Sequence, residues 1–161
     1  MNYTIIISIG QQRLTLFHQG KLLKQYSVAT AKNGPGEIFG SECTPRGKHI
    51  IRAKIGESAA ENAVFIGRRP TGEIYHPKLK QTNPNRDWIL TRILWLSGKE
   101  PGKNRLGNVD TMRRYVYIHG CPDDDEMGIP SSHGCIKMRN SEVIDLFNLV
   151  PIYTPVEILE N

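Results

Sequence analysis

Two short segments of this sequence carry residue types that can act as nucleophiles, bases or metal ligands. They are His119-Gly120-Cys121 and Ser132-His133-Gly134-Cys135, which together supply two imidazoles and two thiols. Three chemistries use such a set: acyl transfer by a thiolate, zinc binding, and redox pairing of two cysteines. A fourth interpretation is a buried, inert cysteine cluster.

Cys135 and His119 have the residue types of a catalytic thiol and its base. A free thiol is mostly protonated at neutral pH, so a nucleophilic cysteine needs a base or a cation beside it. The strand-like run 115–118 would present His119 at a sheet edge, and the loop 120–134 is long enough to return Cys135 to it. The main-chain carbonyl of Gly120 is a local acceptor that could orient the imidazole.

The backbone around Gly134 could stabilise an oxyanion. Glycine lets the main chain approach a reacting carbonyl closely, and Ser132-His133-Gly134-Cys135 supplies closely spaced N–H groups. Acyl transfer by a thiolate therefore fits these residues.

The zinc and redox interpretations stay open on residue chemistry alone. His119, Cys121, His133 and Cys135 form a possible Cys₂His₂ set, although one-residue spacing within each pair is tighter than in most structural zinc sites. The spacing of Cys121 and Cys135 is unlike the C-x-x-C pattern of redox pairs.

Short alternating apolar runs and many turn residues predict a mainly β fold. We expect a sandwich or mixed sheet with long loops over 71–88 and 97–112, which could form active-site walls. The predicted strands cover 3–9, 12–17, 21–29, 49–55, 64–66, 89–96 and 115–118.

One short C-terminal helix is predicted before Pro151. Asn140 or Ser141 could cap it, and the apolar face contains Val143, Leu146, Phe147 and Val150. A groove for a carboxylate-bearing peptide could be lined by Tyr75, Trp88, Arg92, Trp95 and Arg114.

Length and charge limit the remaining possibilities. The 161 residues are expected to form a single domain over 1–161, and a formal charge of +5 without basic–aromatic runs argues against nucleic-acid binding. The apolar run at the amino terminus is too short for a signal-peptide core or a membrane span, which predicts a cytoplasmic protein without a membrane partner. Trimming of a leader would predict a periplasmic protein instead.

At these residues the chain resembles the L,D-transpeptidase catalytic domain (YkuD) family. The family signature is a histidine followed, after a gap, by Ser/Thr-His-Gly-Cys, here His119 and 132–135. The opening hairpin with Gly20-Lys21, the turn 44–47 and the closing segment 154–158 also match, so the resemblance covers essentially the whole chain.

The resemblance implies a YkuD-type β fold and a catalytic site for peptidoglycan tetrapeptide stems. Cys135 would attack the carbonyl of the diamino acid in position three and expel D-alanine, while His119 would carry the proton. The N–H groups of His133, Gly134 and Cys135 would hold the oxyanion, and the His133 side chain would shape the site.

The expected substrate contacts come from Ser132, Lys137 and Arg139. Position 137 is commonly Arg or Asn in the family, and Lys137 keeps a charge for a substrate carboxylate without the bidentate fork. No metal or organic cofactor is implied, and the expected partner of the monomeric protein is a stem tetrapeptide or muropeptide.

The expected location favours hydrolysis over cross-linking. A cytoplasmic member would meet free muropeptides, so we expect an L,D-carboxypeptidase of murein recycling. The alternatives are an L,D-transpeptidase that forms 3-3 cross-links or exchanges D-amino acids and, less favoured, a zinc-stabilised binding module. The resemblance also predicts a carbapenem adduct on Cys135.

Overall fold

A ten-stranded mixed β-sheet forms the frame of the protein, which a computed structural model describes over residues 2–161. The elements within this range are β1 (Tyr3–Ser8), β2 (Arg13–His18), β3 (Lys21–Ser27), β4 (Gly47–Ile55), β5 (Ala63–Ile66), β6 (Arg69–Ile74), α1 (Pro77–Thr82), β7 (Ile89–Gly98), β8 (Tyr117–Gly120), β9 (Ile136–Met138), α2 (Asn140–Leu149) and β10 (Pro155–Leu159). A 3₁₀ turn lies at Gly107–Val109.

The strand order places β7 at a branch point of the sheet. The main path is β3-β2-β1-β10-β4-β7-β5-β6, while β8 pairs with β7 and β9 pairs with β8. The pairs β1–β10 and β8–β9 are parallel, and the remaining pairs are antiparallel. The expected mainly β fold with a short C-terminal helix is confirmed, and its form is one mixed sheet.

Helix α2 covers one face of the sheet with the apolar residues predicted from the sequence. Val143, Leu146, Phe147 and Val150 are all buried in the main core. They pack in one cluster with strand residues that include Ile51, Leu94, Leu96, Ile118, Ile136 and Met138. Burying each such side chain contributes about 1.5–3 kcal/mol to folding, so this face of the sheet is anchored firmly.

The opposite face of β7 and β8 carries a second, smaller cluster. It contains Phe65, Ile93 and Tyr117, with Trp95 and Cys135 packed against it. Since side chains alternate along a strand, β8 sends Ile118 to the main core and its neighbours to this second face.

Several element boundaries differ from the sequence prediction. The segment 71–88, predicted as a loop, contains the end of β6 and all of α1, neither of which has a fully buried residue to reveal its periodicity. Strand β8 spans 117–120 instead of 115–118, because Tyr115 adopts a left-handed φ of 56° that no strand accommodates.

The predicted cap of α2 is wrong. Arg139 is the N-cap residue and makes no side-chain capping bond, whereas Asn140 is the first helical residue. Its amide points inward instead, where it hydrogen-bonds to Thr91 and to the main chain of Cys121. In the range 2–161, the helices are all too short or too polar to cross a bilayer.

Candidate active site

Two adjacent parallel strands place a thiol and an imidazole on one face of the sheet. In the register of β8 and β9, Ile118 lies beside Ile136 and His119 beside Lys137. Both isoleucines enter the main core, so His119 and Lys137, together with Cys135 just before β9, face the other side. The sheet therefore brings Cys135 and His119 into one site, although they are far apart in sequence.

The sulfur of Cys135 is held by the main chain of the segment that leads into β8. The N–H of Tyr117 donates to Sγ at 3.3 Å, and Sγ contacts the carbonyl oxygen of Tyr115 at 3.5 Å. Burial of the sulfur raises the pKa of the Cys135 thiol to about 12, while the Tyr117 N–H and the Arg114 charge oppose this rise. At neutral pH the free protein thus carries a protonated thiol.

His119 is buried and oriented by its neighbour in the strand. Its Nδ1 lies 2.6 Å from the carbonyl oxygen of Gly120, the acceptor expected from the sequence. Because a carbonyl only accepts, Nδ1 must carry the proton and Nε2 is left as a free base. Burial lowers the pKa of His119, so this imidazole is neutral at pH 7.

At neutral pH the Cys135 thiol and the His119 imidazole are therefore both uncharged. A neutral thiol beside a neutral imidazole requires the proton to move as the sulfur attacks. Such a pair suits activation of the thiol by a general base, which is the role expected of His119 from the sequence.

The loop before Cys135 is braced by its own polar groups. Gly134 has φ +127°, and a Cβ added there would lie 3.2 Å from the carbonyl oxygen of Cys43. The hydroxyl of Thr44 donates to the Gly134 carbonyl at 2.9 Å, and the Gly134 N–H donates to Ser132 Oγ at 3.2 Å. Ser132 Oγ in turn donates to the Cys135 carbonyl at 2.5 Å.

This bracing bears on two predicted roles. Ser132, expected to contact substrate, is buried, and its hydroxyl donates its hydrogen bond within the loop. The N–H of Gly134, expected in the oxyanion hole, must leave Ser132 Oγ before it can bind an oxyanion. Both roles stay predictions.

The other predicted binding residues lie in different surroundings. His133 is exposed, with Nδ1 3.5 Å from a carboxylate oxygen of Asp87. Lys137 Nζ lies 2.8 Å from Asp125 Oδ2, so its charge already has a partner. Arg139 is exposed at the start of α2.

The five residues proposed to line a groove separate into two groups. Tyr75 and Trp88 pack edge to face, and buried Arg92 donates to the main-chain oxygens of Ala59 and Thr91, each at 2.7 Å. The side chains of these three residues are therefore engaged in contacts within the protein. Trp95 and Arg114 remain near the thiol.

Sequence reasoning missed the inward role of Asn140. Its Oδ1 accepts from Thr91 Oγ1 at 2.6 Å, and its Nδ2 donates to the Cys121 carbonyl at 2.8 Å. Nδ2 also lies 3.0 Å from Asn62 Oδ1 and 3.1 Å from Asp123 Oδ1. The network fixes the main chain that follows His119.

Gly120 is required by the same network. A Cβ at this position would collide with Asn140 Oδ1 and would lie 2.7 Å from the carbonyl oxygen of Leu90. The helix-cap signal drew attention to Asn140, but only the fold shows that its amide meets the end of β8.

The zinc and redox alternatives are not supported by this geometry. Cys121 packs with Ala29 and Met127, and its thiol donates to the Met138 carbonyl at 3.3 Å. All three cysteines are unpaired, and burial raises the pKa of Cys121 to about 12. Within residues 2–161, His, Cys, Asp and Glu side chains form no group of three or more with metal-binding geometry.

Comparison with known families identifies this arrangement. The family model for the L,D-transpeptidase catalytic domain, YkuD, matches residues 2–158. The chain belongs to this family. It is 26% identical over 156 residues to the "Putative L,D-transpeptidase YkuD" of Bacillus subtilis, which covers 97% of this chain and 65% of that protein.

Solved L,D-transpeptidases share the fold. L,D-transpeptidase 3 from Mycobacterium tuberculosis superposes with a TM-score of 0.61 at 15% identity, covering 98% of this chain and 61% of that one. The L,D-transpeptidase LdtMt1, solved in complex with imipenem, gives a TM-score of 0.58 at 17% identity over 98% of this chain and 58% of its own. This chain thus spans less than two thirds of the length of these relatives.

Proposed function

We propose that this protein cleaves the bond between the diamino acid and the terminal D-alanine of peptidoglycan tetrapeptide stems, with water as the final acceptor. The observation that supports this most directly is the placement of the Cys135 thiol and the His119 imidazole on one face of β8 and β9. Membership of the YkuD family supplies the substrate class.

The two residues can carry a complete acyl-transfer cycle. Cys135 Sγ attacks the carbonyl carbon of the diamino acid while its proton passes to Nε2 of His119. The C–N bond then breaks, His119 returns the proton to the departing D-alanine amine, and the tripeptide remains as a thioester. Water attacks the thioester and gives a proton to His119, which returns it to the sulfur as the C–S bond breaks.

Water is the simplest acceptor for this thioester. Cys135 is partly exposed, so solvent can reach the acyl carbon once D-alanine has left. Transpeptidation requires, in addition, a site that holds the amine of a second stem in line with the thioester. This supports an L,D-carboxypeptidase acting on free stem peptides, as in murein recycling.

The second candidate is L,D-transpeptidation. The names of the Bacillus subtilis relative and of the structural neighbours favour it. Its products would be 3-3 cross-linked dimers or stems in which another D-amino acid replaces the terminal D-alanine.

Product masses separate the two candidates. The purified protein is incubated with a free tetrapeptide stem, with and without an excess of D-methionine, and the products are analysed by mass spectrometry. Hydrolysis predicts tripeptide and D-alanine under both conditions. Dimers or D-methionine exchange without tripeptide would refute hydrolysis, and Cys135→Ala serves as the inactive control.

A carbapenem provides an independent test of the nucleophile. The relative LdtMt1 was solved in complex with imipenem, and we expect imipenem to acylate Cys135 here. The adduct should add the mass of the drug to the wild-type protein and be absent from Cys135→Ala. One tightly held zinc per chain with no adduct would favour the zinc-stabilised module.

A further inference from the structure

An arginine from the β5–β6 hairpin reaches the residues that hold the catalytic sulfur. The guanidinium carbon of Arg68 lies 4.7 Å from the ring centroid of Trp95 and 4.7 Å from that of Tyr115. Its Nη1 donates to the hydroxyl of Tyr117 at 3.0 Å. We refer to these four residues as the Arg68 slot.

The slot shares two residues with the contacts of the catalytic sulfur. Tyr115 and Tyr117 are the residues whose main-chain carbonyl and N–H contact Cys135 Sγ. Trp95 and Cys135 also pack against the same apolar cluster. Because the same residues contact both the sulfur and Arg68, we infer that a peptide whose carbonyl reaches the sulfur passes beside the slot.

The guanidinium of Arg68 retains unused donors. A guanidinium has five N–H groups, and Tyr117 takes one of them. Across residues 2–161, Arg68 has no carboxylate within ion-pair distance. The other cations of the site are occupied: Lys137 by Asp125, and Arg114 by the main-chain oxygens of the segment 36–43.

Arg68 is also held in place before any ligand arrives. Stacking between two rings fixes a side chain that otherwise loses considerable rotamer entropy on binding. Tyr115, one wall of the slot, is 53% exposed and holds a left-handed φ of 56°. A bulky residue seldom adopts this strained conformation, and such residues concentrate at ligand sites.

We propose that the Arg68 slot binds the terminal carboxylate of the peptide whose preceding carbonyl Cys135 attacks. This rests on the proposed function, since that carboxylate belongs to the departing D-amino acid. It lies one residue beyond the scissile carbonyl, within about 3.6 Å of chain. The paired donors of a guanidinium match a carboxylate in a bidentate manner, which makes Arg68 the residue that selects a free peptide end.

Binding to an inactive protein tests the proposal without requiring turnover. The Cys135→Ala protein and its Arg68→Gln and Arg69→Gln derivatives are titrated calorimetrically with a tetrapeptide stem and with its C-terminal amide. Arg69 is the matched control, because it is an exposed arginine on the same hairpin. Thermal melts of each protein check that the hairpin substitutions leave the fold intact.

The expected result is specific to one residue and one chemical group. Arg68→Gln should weaken binding of the acid by about 10- to 100-fold, as for loss of a charge-assisted hydrogen bond, and change binding of the amide by less than about twofold. Arg69→Gln should match its parent, and Arg68→Lys should restore part of the affinity. An equal loss for acid and amide, or an equal effect at Arg69, would overturn the proposal.

Turnover by the otherwise wild-type protein separates this proposal from the proposed function. If the acid binds through Arg68 but D-alanine is never released, the hydrolytic function fails and the carboxylate site stands. If the Arg68→Gln protein releases D-alanine as fast as the wild-type protein at subsaturating peptide, the carboxylate site is refuted and the hydrolytic function is supported.

Discussion

Replacing Asn140 by alanine should destabilise the protein more than any other single polar truncation on α2. The change leaves the Thr91 hydroxyl proton and the Cys121 carbonyl without their partner, and both residues are buried. Each buried group left unsatisfied costs about 1–3 kcal/mol, against a gain in helix propensity of about 0.5 kcal/mol for alanine. We expect a net loss of about 3 kcal/mol, which corresponds to a fall in Tm of roughly 6–12 °C.

Two further variants sharpen this test in thermal and urea unfolding. Asn148→Ala lies on the exposed side of the same helix and should change the free energy of unfolding by less than about 0.5 kcal/mol. Asn140→Asp should be less stable than Asn140→Ala at pH 7, because a carboxylate would face the Cys121 carbonyl and Asp123. Protonation of this carboxylate at low pH should restore part of the lost stability. If the free energies of unfolding of Asn140→Ala and Asn148→Ala differ by less than about 1 kcal/mol, the stabilising role assigned to the Asn140 network is wrong.

Three other predictions concern separate parts of the molecule. Gly120→Ala should lower both Tm and activity, because the new Cβ collides with the amide oxygen of Asn140; retention of wild-type Tm in a melt would contradict this. Burial lowers the pKa of His49 to about 4 from 6.5, so the unfolded chain takes up a proton that the folded protein does not. Stability should therefore fall by roughly 3 kcal/mol as the pH drops from 6.5 to 4, and urea titrations of His49→Gln should show a flatter profile over that range. Arg114→Gln should slow alkylation of Cys135 by iodoacetamide several-fold at pH 8, because the guanidinium favours the thiolate, whereas Arg114→Lys should alkylate at a rate closer to wild type.

The sequence predicts best where periodicity and burial coincide. Helix α2 and its apolar face are confirmed, and strands β1 to β5 agree within one or two residues. In β1, β2 and the first half of β4 the side chains alternate between core and surface, which is the pattern that the sequence shows. Strand β6 and helix α1 were missed because they pack on the surface, and the three-residue β9 gives too little pattern to detect.

The candidate site could be predicted as a set of residues but not as an arrangement. The motif singles out His119 and Cys135, and the Gly120 carbonyl contact is confirmed. Pairings between distant segments are not encoded in local spacing, so neither the ion pair of Lys137 with Asp125 nor the contact of Arg68 with Tyr117 was anticipated. The cellular compartment and the oligomeric state stay predictions.

Trapping the covalent intermediate tests the central claim most directly. The protein is mixed with a tetrapeptide stem, quenched in acid within milliseconds to seconds, and analysed by intact-protein and peptide mass spectrometry. We predict a tripeptidyl thioester on Cys135 that forms as D-alanine is released and is absent, together with that release, from Cys135→Ala. Undiminished D-alanine release by Cys135→Ala, or an acyl group on any other residue, would contradict the account.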